Sequence, residues 1–255
     1  MFELCHFIWI AISALAAFLS IFYYKKAKPP LEKVLSAACG LSIVSEVVKT
    51  LTMLQAVPSA DGSVVYLYLD LANLPLQLCS IQILLIFIVR FTRSAKLREN
   101  LLAFMYPTCL LGALLAIALP SFLNDMTPLQ RLTSPRVYQY FLYHIMLLSM
   151  GIYIAMSGCV RFRIRHLFSS LGTLCILGFS SLYINSMFAA PVYQSGQLVS
   201  IEYMPNFFFT QALPVHFPLA EKWQWLVWLC VELLLAFVLF SLCFLPLILR
   251  EKRRR

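Results

Sequence analysis

The chain has 255 residues, 61% of them hydrophobic and only 12% charged, with a mean hydropathy of +0.83. That much apolar surface cannot be enclosed in a water-soluble core, and no long polar stretch remains to form a soluble domain. The net charge of +9 does not indicate a nucleic-acid partner, because the basic residues cluster at the ends of apolar runs, where they orient helices and meet lipid headgroups.

Apolar runs near the ~20 residues needed to cross ~30 Å of hydrocarbon predict helices over 5–24, 31–56, 72–91, 100–120, 137–157, 166–190 and 222–249. Basic clusters follow the first (Lys25, Lys26, Lys28), third (Arg90, Arg93, Lys96, Arg98), fifth (Arg161, Arg163, Arg165) and last (Arg250 to Arg255) of these. The connections between them are poorer in Lys and Arg and carry Asp61, Asp125, Glu202 and Glu221. The expected architecture is therefore an all-α polytopic membrane protein. Residues 1–255 form a single transmembrane helical domain, a bundle of about seven transmembrane helices with the N-terminus outside and the C-terminus cytoplasmic. The first run is too long for a signal-peptide core and has no basic leader, so it is expected to be retained as a helix. The location implied is integral to a membrane.

On the second predicted helix, Ser42, Glu46, Lys49 and Thr50 fall at i, i+4, i+7 and i+8 and form one polar stripe on an apolar rod. Intramembrane charges are costly and face interiors in pairs, so Glu46 and Lys49 are expected to line the bundle interior together.

The third predicted helix carries Leu74-Pro75-Leu76-Gln77-Leu78-Cys79-Ser80. With Pro75 in its first turn and a start near Asn73, Cys79 lies ~9 Å below the outer surface and Asp70 at the interface. Pro75 has no N–H, which deprives the Leu71 carbonyl of a helical partner and predicts a polar-tolerant notch. At helical spacing Gln82 shares the face of Cys79, while Gln77 points nearly the other way.

In the fifth predicted helix His144 lies ~10 Å deep by the same count, with Tyr140 one turn before it. A thiol with a histidine base from another helix is the minimum needed to attack a carbonyl, so Cys79 and His144 are the candidate catalytic pair. Gln82 or Asn73 is the candidate oxyanion donor, and Glu46 and Lys49 would polarise the pocket. Ser181 and Asn185 on the sixth predicted helix read as polar glue between helices. The connection 191–221, cut by Pro191, Pro205, Pro214 and Pro218, is expected to fold over the outer mouth as an interfacial or re-entrant lid. The eight cysteines contain no CxxC pair, so neither a disulfide framework nor a metal site is expected, and no motif calls for a cofactor.

The Leu74 to Ser80 segment, the Glu46/Lys49 helix before it and a histidine in the fifth span together resemble the YwaF-type bacterial integral membrane proteins. These are similar to the eukaryotic transmembrane protein 164 acyltransferase family. The resemblance implies a bacterial cytoplasmic membrane location and membrane phospholipids as substrate. It also implies acyl transfer or hydrolysis on glycerophospholipid esters through a cysteine and a histidine, which fall here on Cys79 and His144. One position departs from the pattern: Gln77 stands where many relatives carry histidine. The alternative reading of the same charges is a small-solute or proton-coupled transporter built on Glu46, Lys49 and Asp70. No internal repeat and no second broken helix supports it.

Overall fold

The computed structural model describes residues 4–59, 61–194, 197–203, 205–210, 218 and 221–253. The helices are α1 (Leu4–Ala27), α2 (Leu31–Met53), α3 (Leu78–Phe91), α4 (Ala95–Ala118), α5 (Pro128–Thr133), α6 (Pro135–Ser157), α7 (Ile164–Met187) and α8 (Glu221–Arg253). Two antiparallel hairpins interrupt them, β1 (Gln55–Pro58) with β2 (Val65–Tyr68), and β3 (Ala190–Gln194) with β4 (Gln197–Tyr203). Among the described residues six helices are long and apolar enough to cross a membrane, which makes this an integral membrane protein.

The third predicted helix is corrected by the structure. It begins at Leu78, not near Asn73, and its 14 residues span about 21 Å, short of the ~30 Å hydrocarbon thickness. Pro75 disfavours the earlier start, because the residue before a proline is pushed toward extended backbone, and Leu74 lies outside any helix. Leu71–Asn73 instead form a 3₁₀ turn. The Leu71 carbonyl, expected to be orphaned, accepts from the Leu74 N–H at 3.0 Å. Cys79 consequently sits in the first turn of α3, and Pro75 shares no helix with it.

Other boundaries shift less. The second helix stops at Met53, and residues 55–58 pair as a strand instead of extending it. In the turn of that hairpin Asp61 accepts from the Ser59 hydroxyl and from the N–H and hydroxyl of Ser63. These bonds hold its carboxyl down at about 2. In the connection 191–221 the described part is a hairpin followed by a 3₁₀ turn at Phe207–Phe209, whereas 195–196, Met204, 211–217 and 219–220 lie outside the described residues.

The described chain forms two compact units. The first gathers the chain up to Leu69 with Leu78–Phe162, and the second gathers Asp70–Gln77 with the chain from Arg163. In the first, α6 packs against α1, α2 and α4, and α3 packs against α2 and α4. Trp9 stacks flat on Phe141 at 4.8 Å, and the hydroxyls of Ser20 and Tyr24 meet that of Ser149 at 3.0 and 2.7 Å, tying α1 to α6. The α4 backbone comes close to α6 at Gly151, where an added Cβ would lie 3.0 Å from the Leu110 nitrogen. The left-handed Gly158 (φ 72°) then ends α6. Elsewhere α1 and α2 leave Leu15, Phe18, Phe22, Val44 and Leu51 exposed, surface that hydrocarbon covers.

In the second unit Asn185 on α7 holds the 205–210 segment, giving two bonds from its amide to the Phe207 carbonyl and Thr210 hydroxyl and accepting from the Phe207 N–H at 3.0 Å. Ser181 adds a bond to the Thr210 hydroxyl at 3.0 Å. Gln77 reaches the same segment, donating to the Asn206 carbonyl and accepting from the Phe208 N–H. Tyr203 donates to Asp70 at 3.0 Å.

Gly151→Ala should force α4 and α6 apart, costing about 1–3 kcal/mol, the usual penalty of overpacking. Gly40→Ala, where nothing lies within 4 Å of the added carbon, is the matched control. A lower midpoint of thermal unfolding in detergent for Gly151→Ala and an unchanged one for Gly40→Ala is the expected outcome.

Candidate functional site

Cys79 and His144 both belong to the first unit, on helices that run in the same direction. The C-terminal ends of α3 and α6 share one cavity, lined in part by Arg90, Phe91 and Cys159. From that common end, at 1.5 Å per residue, Cys79 lies about 18 Å up α3 from Phe91 and His144 about 20 Å up α6 from Ser157. Counted from this end the two reach similar depth, whereas the count from an outer start near Asn73 does not hold, because α3 begins at Leu78.

The floor between them is α4. A Cβ on Gly112 would lie 3.6 Å from Cys79 Sγ, so this glycine marks the place where the thiol meets α4. One turn on, the Ala116 carbonyl accepts from the Tyr140 hydroxyl at 3.0 Å. Pro107 lies within α4 and cannot bond to the Ala103 carbonyl, just before the turn that faces α3. That turn carries a small polar cluster. Gln82 is fully buried, donates to the Thr108 hydroxyl at 3.0 Å and to the Leu78 carbonyl at 3.4 Å, and accepts from the Cys109 thiol at 3.3 Å. Its amide is thus committed to joining α3 and α4.

His144 is buried and lies against the Tyr140 ring at 4.3 Å. Its Nδ1 is 2.7 Å from the Tyr140 carbonyl. A carbonyl only accepts, so Nδ1 carries the proton and the neutral ring keeps its lone pair on Nε2, the form a general base needs. Among the described residues no hydrogen bond joins His144 to the Cys79 thiol. The direct link between the two helices comes from the adjoining residue, because the Tyr143 hydroxyl donates to the Cys79 carbonyl at 2.7 Å.

Cys79 is the second residue of α3, where the first N–H groups have no intrahelical acceptor. Among the described residues the N–H groups of Cys79 and Ser80 make no hydrogen bond. Uncommitted N–H groups at a helix start are the kind of donor an anion needs, the role expected of Gln82 or Asn73. Asn73 belongs to the second unit, where its N–H closes the 3₁₀ turn onto the Asp70 carbonyl at 2.9 Å. Asn185 belongs there too, committed to the 205–210 segment.

Three residues outside the sequence-based set join the site: Tyr143, Gly112 and Arg136. Arg136, Tyr140 and His144 fall at i, i+4 and i+8 on α6, a spacing visible in the sequence. The Arg136 guanidinium lies over the rings of Phe122 and Tyr140, and it donates to Gln139, which in turn donates to Ser45 on α2 at 2.6 Å. Tyr143 also lines a groove between α2 and α6 of about 480 Å³, walled mainly by Leu41, Val44, Val48, Leu142 and Met146. A slot of that size and lining suits an alkyl chain.

Lys49 and Glu46 form the expected ion pair at 2.5 Å, with Lys49 buried and Glu46 about one-third exposed. Ser42, fully buried, continues the stripe into the interior of the first unit. Glu46→Leu should leave Lys49 without its carboxylate and lower the unfolding temperature more than the double change Glu46→Leu/Lys49→Met. Breaking a fully buried pair costs about 3–5 kcal/mol while replacing it is often neutral, and the exposure of Glu46 reduces that difference here. Equal midpoints for the single and double variants would show that the pair contributes nothing.

A family model described as the TMEM164 family matches residues 1–244. No curated protein and no solved structure matches the chain.

Proposed function

Because the chain belongs to the TMEM164 family, we propose that it is a membrane-embedded acyltransferase or acyl hydrolase acting on glycerophospholipid esters, with Cys79 as nucleophile and His144 as base. The observation that carries this reading is the 2.7 Å bond from Tyr143 to the Cys79 carbonyl, which ties the nucleophile's backbone to the residue adjoining the base. The proton on Nδ1 of His144 supports it further, since Nε2 is then ready to accept.

His144 Nε2 takes the thiol proton of Cys79, and the thiolate attacks the ester carbonyl of a phospholipid. The N–H groups of Cys79 and Ser80 receive the developing oxyanion. The C–O bond then breaks, the lysolipid alkoxide leaves with the proton from His144, and the acyl group remains as a thioester. In the second half the hydroxyl of a lysolipid or water gives its proton to His144 and attacks the thioester. The new C–O bond forms and the thiolate departs, recovering its proton. The apolar groove beside Tyr143 holds the acyl chain, and Arg136, about 12 Å along α6 from His144, faces the phosphodiester.

For all four basic clusters to lie on one side, α3 and the residues before it must serve as the third of seven crossings, with the N-terminus outside and the chemistry in the outer leaflet. Gln77, whose amide holds the 206–208 backbone, stands as a structural residue in place of histidine.

The test is acyl transfer by purified protein in liposomes carrying a phospholipid with a clickable acyl chain and a lysolipid acceptor. Cys79→Ser should keep the fold and lose transfer by at least about a thousandfold, and His144→Ala should lose about 10²–10⁴-fold. Full activity of Cys79→Ala would end the proposal.

A further inference from the structure

The end of the first unit farthest from Cys79 holds a second polar site. A cavity of about 730 Å³ opens where α2 begins, α3 ends and α4 begins, with Cys159 just past α6 at its wall. Its charged lining is Glu32, Arg90, Arg93, Arg98 and Glu99, three cations against two anions. Glu32 is shared, with Arg90 at 3.1 Å on one oxygen and Arg98 at 2.8 Å on the other. Arg98 also donates to the Thr92 carbonyl at 3.1 Å, and Arg90 to the Ser36 hydroxyl at 2.8 Å while its guanidinium lies over the Phe91 ring. Two guanidiniums are therefore fixed in place and only half neutralised by the carboxylate between them.

Two further features supply donors. Arg93 makes no hydrogen bond or ion pair among the described residues, although it lines the cavity. The 24-residue α4 starts in the same wall, where Ser94 caps only the Leu97 N–H and leaves those of Ala95 and Lys96 uncommitted. A helix N-terminus beside forked guanidiniums matches the charge and donor geometry of a phosphate. The charged lining comes from helix ends and the α3–α4 connection, the depth at which a bilayer carries its headgroups. The volume lies within the ordinary range for a ligand pocket, ~300–1,000 Å³.

We infer that this cavity binds a phosphate group, that of an anionic lipid headgroup, in the leaflet opposite the one where Cys79 acts. Arg93 supplies the charge left unmatched by Glu32 and Glu99, and Arg90 and Arg98 supply pre-positioned donors.

The test is the shift in unfolding temperature of the detergent-purified chain titrated with short-chain phosphatidic acid, with phosphatidylcholine of the same chains, and with inorganic phosphate. A saturable rise with phosphatidic acid and none with phosphatidylcholine is expected. The same rise with inorganic phosphate would identify the phosphate alone as sufficient, and a rise with the lipid only would identify the headgroup together with its lipid. Arg93→Gln, which removes a side chain without structural partners, should raise the phosphatidic acid Kd at least about tenfold, the equivalent of one lost charge-assisted bond. Lys252→Gln, in the last turn of α8, should leave it unchanged. No saturable shift with any of these probes, or equal loss in Arg93→Gln and Lys252→Gln, would overturn the inference. Because the readout is binding, it stands or falls apart from acyl transfer.

Discussion

The close approach of α4 and α6 is the constraint on which the candidate site depends. Gly151 lets the α4 backbone come within 3.0 Å of where a side chain would begin. With those axes so near, α4 presents Gly112 to the Cys79 thiol and the Ala116 carbonyl to Tyr140, while α6 directs Tyr140, Tyr143 and His144 back across it. A methyl group at the crossing would move all of these together, since packed interiors transmit small displacements. The reactive residues need no contact with Gly151 to depend on it.

A second constraint is that polar groups inside an apolar unit must find one another. Lys49 meets Glu46, Gln82 meets Thr108 and Cys109, and Tyr143 meets the Cys79 carbonyl, each closing a cost that hydrocarbon would otherwise impose. The exceptions are therefore informative. Among the described residues the N–H groups of Cys79 and Ser80 at the start of α3, and of Ala95 and Lys96 at the start of α4, keep no acceptor, the latter beside three arginines. The first unit thus has, among the described residues, a helix start with uncommitted N–H groups near each of its ends.

Much of this was legible in the sequence because membrane spans are set by run length and charge bias, and polar stripes by helical spacing. Glu46 and Lys49 are one turn apart and pair as that spacing requires. The similar depth of Cys79 and His144, expected from counting down from their outer helix ends, holds when both are counted from the opposite ends, which basic residues mark, and not from an α3 start near Asn73. The start of α3 is ambiguous in the sequence, since a proline can sit in a first helical turn or just before one. Only the 3₁₀ turn at Leu71–Asn73 decides between them. The hairpins were hidden because four-residue strands such as Val65–Tyr68 look like span edges. Tyr143 and Gly112 were missed for a different reason: their importance lies in what faces them across another helix, which spacing along one chain does not reveal. Arg90, Arg93 and Arg98 were read as markers of orientation, and their convergence on one cavity with Glu32 needed three helix ends in space.

The covalent intermediate is the claim on which the functional reading turns, and it leaves a mark that can be weighed. After incubation of the wild-type protein with a phospholipid of defined acyl chain, without acceptor, peptide mass spectrometry should find that acyl group on the peptide containing Cys79, removed by neutral hydroxylamine as a thioester is. Acyl transfer proceeding with Cys79 unmodified, or with the acyl group on another of the eight cysteines, would contradict it.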